Sequence, residues 1–258
     1  MLNFIKKQIG EALVANGYIL QPIGKDYPFD PDMEAAFRES YQRNKQYTMT
    51  SIERMYGMYK ASEYILENKV EGAFVECGVW RGGSTMMGMD AVLAKNITDR
   101  EFWMFDTFEG MSEPTEKDIM HSGLDAKKEW ERLRESQEKE SSDWCLASLD
   151  EVVRNVLKTG YPKDKIIPVQ GKVEDTIPGK IPEKIALLRL DTDWYESTRH
   201  ELEHLFPRLS VGGILIIDDY GCWQGAREAV DEYFSKQSSK IFFQRTDYTG
   251  RMAVKIQD

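Results

Sequence analysis

Two apolar runs, each ending in acidic residues, constrain this chain more than any other feature. The first, Ile185-Ala-Leu-Leu-Arg-Leu190, stops at Asp191-Thr192-Asp193. The second, Gly213-Ile-Leu-Ile-Ile217, follows about 20 residues later and stops at Asp218-Asp219. Short continuous apolar runs suit strands buried on both faces, and such strands belong to parallel sheets covered by helices. Open α/β sheets bind ligands in the crevice beyond the carboxyl ends of their strands, which is where both acidic pairs fall. Carboxylates gathered there are hard oxygen ligands. Asp191, Asp218 and Asp219 are therefore candidate ligands for Mg2+ or a similar cation, with Asp193 in support. Their mutual repulsion is costly without a cation, although any single one can cap a helix.

The remainder of the chain fits the same sheet. Strands are expected at Ala73–Glu76, Phe102–Phe105, Lys165–Val169, Ile241–Gln244 and Met252–Ile256. Helices are expected at about 82–95, 127–140, 196–206 and 225–236. Another is opened by the capping box Ser148-Leu-Asp-Glu151 and closed by Gly160. Strands alternating with helices imply right-handed crossovers and a mostly parallel sheet. Only Arg245–Gly250 separate the last two strands, a length that suits a hairpin, so one strand there is expected to run antiparallel.

The first 70 residues differ in being helical and amphipathic. Ile5, Ile9, Leu13 and Tyr18 have helical spacing; Asp30-Pro31 suits a cap and first position of a helix running to about Asn44. Thr50-Ser-Ile-Glu53 fits a capping box for the next helix. The expected division is a helical extension over residues 1–70 and an α/β domain over 71–258. The extension can pack on a neighbouring core or second subunit, act as a lid over the site, or do both.

The net charge of -10 argues against a nucleic-acid or anionic-membrane partner, since both need clustered Lys and Arg. Cys77, Cys145 and Cys222 are widely spaced, which suggests reduced thiols. With no signal-peptide pattern and no long apolar span, a cytoplasmic enzyme is expected.

Three further motifs bear on chemistry. Val75-Glu-Cys-Gly-Val-Trp-Arg-Gly-Gly-Ser84 turns a strand into a helix, exposing amide donors where glycine lets a ligand approach. Its spacing departs from Gly-x-Gly-x-x-Gly, with Trp80 where a second glycine would stand, so a plain tight turn is the alternative. Glu76 at its start can accept hydrogen bonds from an ammonium group. Asp106, at the end of the next strand, is placed to accept both hydroxyls of a ribose, or else to cap its loop. Finally, His200-Glu-Leu-Glu-His204 matches the H-E-x-x-H zinc pattern. Leu202, Leu205 and Phe206 mark that helix's buried side, however, so a solvated face accounts for the histidines.

The blocks Tyr47–Tyr56, Val75–Ser84, Phe105–Met111, Leu188–Thr198 and Ile217–Gly221 together resemble the macrocin O-methyltransferase (TylF) family, from about residue 45 to the C-terminus. The resemblance implies a Rossmann-like class I S-adenosylmethionine methyltransferase with a divalent-metal site that methylates hydroxyls, often on deoxysugars of natural products. It implies cofactor contacts at Glu76, Gly78, Val79, Trp80, Arg81, Gly82, Gly83, Ser84 and Asp106. Thr107 and Phe108 just beyond, Gly171 after the third strand, and Thr50, Ser51 and Arg54 complete the candidate set. Asp191 is the candidate general base as well as a metal ligand. A small hydroxylated acceptor, in particular a glycoside, and a homo-oligomer are expected. The rivals are a glycosyltransferase using Asp191-Thr-Asp193 as a metal-binding D-x-D, and a catalytically silent cofactor-binding subunit.

Overall fold

The computed structural model describes residue 15 and residues 29–134, 142–237 and 240–257. The expected helix over residues 2–18 lies outside them apart from Ala15. By contacts the chain divides into two compact units, Met1–Glu34 and Ala35–Asp258. Helices α1 (Ala35–Asn44) and α2 (Ile52–Glu67) thus belong to the same unit as the sheet.

That unit contains β1 (Ala73–Cys77), α3 (Gly83–Ala94), β2 (Phe102–Asp106), α4 (Ala126–Leu133), α5 (Leu149–Val156) and β3 (Ile166–Gln170). A short α6 (Val173–Thr176), β4 (Ile185–Leu190), α7 (Tyr195–Leu205), β5 (Leu209–Ile217), α8 (Gln224–Ser235), β6 (Gln244–Arg245) and β7 (Arg251–Val254) follow. The seven strands lie in the order β3-β2-β1-β4-β5-β7-β6. All neighbouring pairs are parallel except those made by β7, which runs antiparallel to both β5 and β6. The hairpin expectation holds, with β7 as the reversed strand.

Burial explains why the central strands are continuous apolar runs. Every residue of β1 and β4 is buried, and the core joins Val75, Leu188, Leu190, Leu215 and Ile217 to Leu202 and Leu205 of α7 and Val230 of α8. A fully buried Leu or Val contributes roughly 1.5–3 kcal/mol by leaving water, so this layer fixes the register of the strands that carry the site.

Several boundaries differ from expectation, each for a local reason. The first described helix begins at Ala35, not Pro31, because the Asp30 carbonyl accepts from the Met33 amide in a separate turn. For α2 the cap is Ser51, one residue later than expected, its hydroxyl accepting from the Arg54 amide. Strand β6 is two residues long, where a run from Ile241 was expected; Ile241 and Phe243 pack against the core while Phe242 is 83% exposed, and this segment precedes the paired residues. By contrast, Ser148 caps α5 through the Glu151 amide, and Gly160 closes the following 3-10 turn at φ +80°.

Candidate active site

The site forms where four strand ends meet. The hydrogen-bond ladder continues one step past them: Gly78 N–H donates to the Phe105 carbonyl, Asp191 N–H to Cys77, and Asp218 N–H to Leu190. Those bonds hold the glycine turn and both acidic segments in a common frame. Gly78 is required there twice over. Its φ is +80°, and an added Cβ would lie 1.9 Å from the Asp191 carbonyl oxygen.

A cavity of about 300 Å³ opens above these ends. Thr50, Glu76, Gly78, Val79, Trp80, Gly83, Ser84, Asp106, Thr107, Gly171, Asp191, Asp218 and Asp219 line it, as does Arg54. Four expected residues do not. Ser51 caps α2 and donates to Asp247 at 2.7 Å. Arg81 pairs with Glu151 at 2.7 Å and lies over the rings of Tyr47 and Trp80. Gly82, at φ +92°, begins α3, and Phe108 is buried beneath the Asp106 loop.

Asp106 does more than face a ligand. Its Oδ2 accepts from the amides of Val79 (2.7 Å) and Trp80 (3.0 Å), and its Oδ1 from Phe108 (2.8 Å). One carboxylate therefore ties the glycine turn to the loop after β2. Burial raises its pKa against the pull of those amides. Glu76 is likewise committed: Oε1 accepts from Arg189 at 2.6 Å, and Oε2 from the Thr85 hydroxyl.

Arg189 is the residue that sequence reasoning passed over. It sits inside the apolar run of β4, 3% exposed, where a side chain points into the core. Its guanidinium reaches Glu76 at 2.6 Å and both Asp191 and Asp218 at 2.7 Å. Burial opposes its charge, but Asp191, Asp218 and Glu76 outweigh that and hold its pKa above the usual range. Arg54 pairs with the other oxygen of Asp218 and lies 3.0 Å from Asp247. The one charge in an otherwise apolar strand was the available signal for Arg189.

Even so, the site is short of positive charge. Glu76, Asp106, Glu174, Asp191, Asp193, Asp218 and Asp219 line the cavity, against the cations of Arg54, Lys172 and Arg189. Asp191, Asp218 and Asp219 each offer an oxygen within 4.8 Å of the others, the one such cluster among the described residues. Burial pushes the pKa of Asp191 well up despite Arg189, and Asp218 and Asp219 add to the rise. Asp219 is raised in the same way by burial and then by Asp193 and Asp218. Asp193, at φ +68°, accepts from the Trp223 indole at 2.5 Å, and burial with Asp191 nearby pushes it up to about 7. Asp219 Oδ2 is buried with no hydrogen-bond partner among the described residues. An orphaned carboxylate oxygen amid surplus negative charge is what a cation-binding cluster presents.

Four non-glycine residues around the site have positive φ: Trp80, Phe108, Cys145 and Asp193. Such conformations are uncommon and gather at binding sites, where the surrounding structure imposes them. The second glycine missing from the turn is thus replaced by Trp80 in a glycine-like conformation. The H-E-x-x-H histidines lie apart from the cavity lining. Their rings are 4.4 Å apart on α7, His200 Nε2 meets the Ile177 carbonyl at 2.8 Å, and Glu201 between them is buried against Thr192.

A sheet of this order, with its ligand cavity over the parallel strand ends, defines a Rossmann-like methyltransferase. The O-methyltransferase NovP shares the architecture, with a TM-score of 0.70 and 28% identity over 84% of this chain and 88% of that one. The chain belongs to the macrocin O-methyltransferase (TylF) family, whose model matches residues 29–252. It is 33% identical to the 8-demethyl-8-(2,3-dimethoxy-alpha-L-rhamnosyl)-tetracenomycin-C 4'-O-methyltransferase of Streptomyces olivaceus, over 87% of this chain and 81% of that protein. It is 34% identical to the mycinamicin III 3''-O-methyltransferase of Micromonospora griseorubida, over 78% and 77% respectively. The protein is a methyltransferase; a glycosyltransferase is not favoured. No described helix is long and apolar enough to cross a membrane.

Proposed function

We propose that the protein transfers a methyl group from S-adenosylmethionine to a sugar hydroxyl of a glycosylated natural product, assisted by a divalent cation. The observation that carries this reading is the placement of a cation-hungry carboxylate trio and a glycine turn in one cavity. The relatives that match over most of their length are named for methylating glycosides, which supports the acceptor class.

On this reading the Gly78–Ser84 turn and the Asp106 loop bind the cofactor, with Thr50 and Gly171 completing the wall. Asp191, Asp218 and Asp219 would hold the cation. When bound, the cation lowers the pKa of a hydroxyl and fixes its orientation, while the sulfonium supplies the methyl group. With an acceptor hydroxyl presented in line with that methyl group, Asp191 would take the proton that the acceptor oxygen loses. Arg189 engages Asp191 Oδ2, leaving Oδ1 free of that ion pair. Arg189 meanwhile keeps Glu76, Asp191 and Asp218 in place. The segment from α1 to α2 is proposed as a wall over the site, contributing Tyr47 to Thr50 and Arg54 to the lining.

Calorimetry with S-adenosylhomocysteine and with UDP, each in the presence of Mg2+, tests the assignment. Binding of the first and not the second is expected. The opposite result would overturn the assignment of this cavity to S-adenosylmethionine.

A further inference from the structure

Trp144 and Trp223 line the cavity beside the acidic cluster, and Trp194 packs against both. Trp144, Trp194 and Trp223 pack edge to face, with ring centroids 5.1 to 6.0 Å apart. Two of them are fixed: Trp194 Nε1 donates to the Ser112 carbonyl at 3.0 Å, and Trp223 Nε1 to Asp193 at 2.5 Å. Both are almost fully buried. Trp144 differs. It is half-buried and lines the cavity, and its indole N–H has no hydrogen-bond partner among the described residues.

Its position is informative. The next residue, Cys145, is held at φ +55° and lines the same cavity. Burial pushes up the Cys145 thiol, with Asp193, Asp191 and Asp106 adding to the effect. Trp144 and Cys145 thus share one cavity lining with Asp106, Asp191 and Asp193.

We infer that Trp144 is the acceptor platform: its half-buried ring takes the C–H face of the sugar being methylated, and its N–H donates to a sugar oxygen. This rests on the sugar O-methylation proposed above. A sugar ring offers both an apolar face and hydroxyls, which suits a side chain with a large flat surface and one donor. The fixed indoles of Trp194 and Trp223 hold Trp144 in orientation before the acceptor arrives, which lowers the entropic cost of binding.

The test compares the wild type with W144F and W144L. Each is titrated with a panel of neutral aryl glycosides, beginning with 4-nitrophenyl α-L-rhamnopyranoside, in the presence of S-adenosylhomocysteine and Mg2+. Methyl transfer to the same glycosides is then assayed. Glycoside Kd and KM are expected to rise about tenfold in W144L and less in W144F, with kcat and S-adenosylhomocysteine affinity within about twofold of wild type. A purely structural role would weaken both ligands together, so parallel loss of S-adenosylhomocysteine affinity overturns the platform. Equal glycoside affinity in all three proteins, or no wild-type binding across the panel, also overturns it. Glycoside binding without turnover in the wild type contradicts the methylation reading and leaves the platform standing. Turnover with an unchanged KM in both variants does the reverse.

Discussion

Replacing Arg189 with methionine should destabilise the protein severely, and the reason can be worked from its contacts. The guanidinium is 3% exposed and holds Glu76, Asp191 and Asp218 at 2.6 to 2.7 Å. Methionine is unbranched and apolar, so the loss is chiefly electrostatic. Removing one member of a buried ion pair costs about 3–5 kcal/mol, because the partner charge is left uncompensated. For a protein of this size each kcal/mol moves Tm by about 2–4 °C, so the expected drop is roughly 6–20 °C. The deficit should also depend on pH. Burial already raises the pKa of Glu76 and Asp191, with Arg189 as the main opposing influence on both. Without Arg189 both rise further. A carboxyl whose folded pKa lies above its unfolded value favours the folded state less as pH increases through that range. The deficit of R189M is therefore larger at pH 8 than at pH 5.5. Thermal unfolding followed by circular dichroism at the two pH values measures it. A drop under 2 °C, or a deficit that grows as pH falls, would refute the picture of Arg189 as the counter-ion of the site.

Three further outcomes are expected. Asp106→Ala removes a charged acceptor from the amides of Val79, Trp80 and Phe108; since such bonds contribute about 1.5–3 kcal/mol each, calorimetry should show S-adenosylhomocysteine affinity lowered by well over tenfold. Gly78→Ala places a Cβ 1.9 Å from the Asp191 carbonyl at a φ of +80°, so soluble yield and Tm should both fall, by more than about 1 kcal/mol in stability. His204→Ala should change stability by less than about 0.5 kcal/mol and leave methyl transfer intact, as measured by unfolding and by turnover, because the H-E-x-x-H residues lie outside the cavity lining.

The strands were legible because burial on both faces leaves a direct trace in sequence. Ile185–Leu190 is a strand over all six of its residues, and the acidic pairs lie where the apolar runs stop. Pattern reading weakened where a single residue departs from its surroundings. Arg189 lies in an apolar run, and only the spatial meeting of Glu76, Asp191 and Asp218 reveals its purpose. Trp80 takes a glycine-like backbone, which no residue type announces. Trp144 and Cys145 reach the site from a segment with little periodicity, brought there by tertiary packing against Trp194 and Trp223. The α2 cap was placed to within one residue, since Thr50 and Ser51 are both good caps and the choice depends on which hydroxyl meets an amide, whereas the Asp30-Pro31 signal fell several residues short of the helix at Ala35.

Transfer of a labelled methyl group from S-adenosylmethionine to aryl glycosides, with Mg2+, with EDTA, and in Asp191→Asn, tests the central claim most directly. Label is expected on a sugar oxygen in the wild type with Mg2+. It should be lost with EDTA and in the variant, while the variant keeps its affinity for S-adenosylhomocysteine. Full turnover in EDTA, or in Asp191→Asn, would contradict metal-assisted O-methylation with Asp191 as ligand and base.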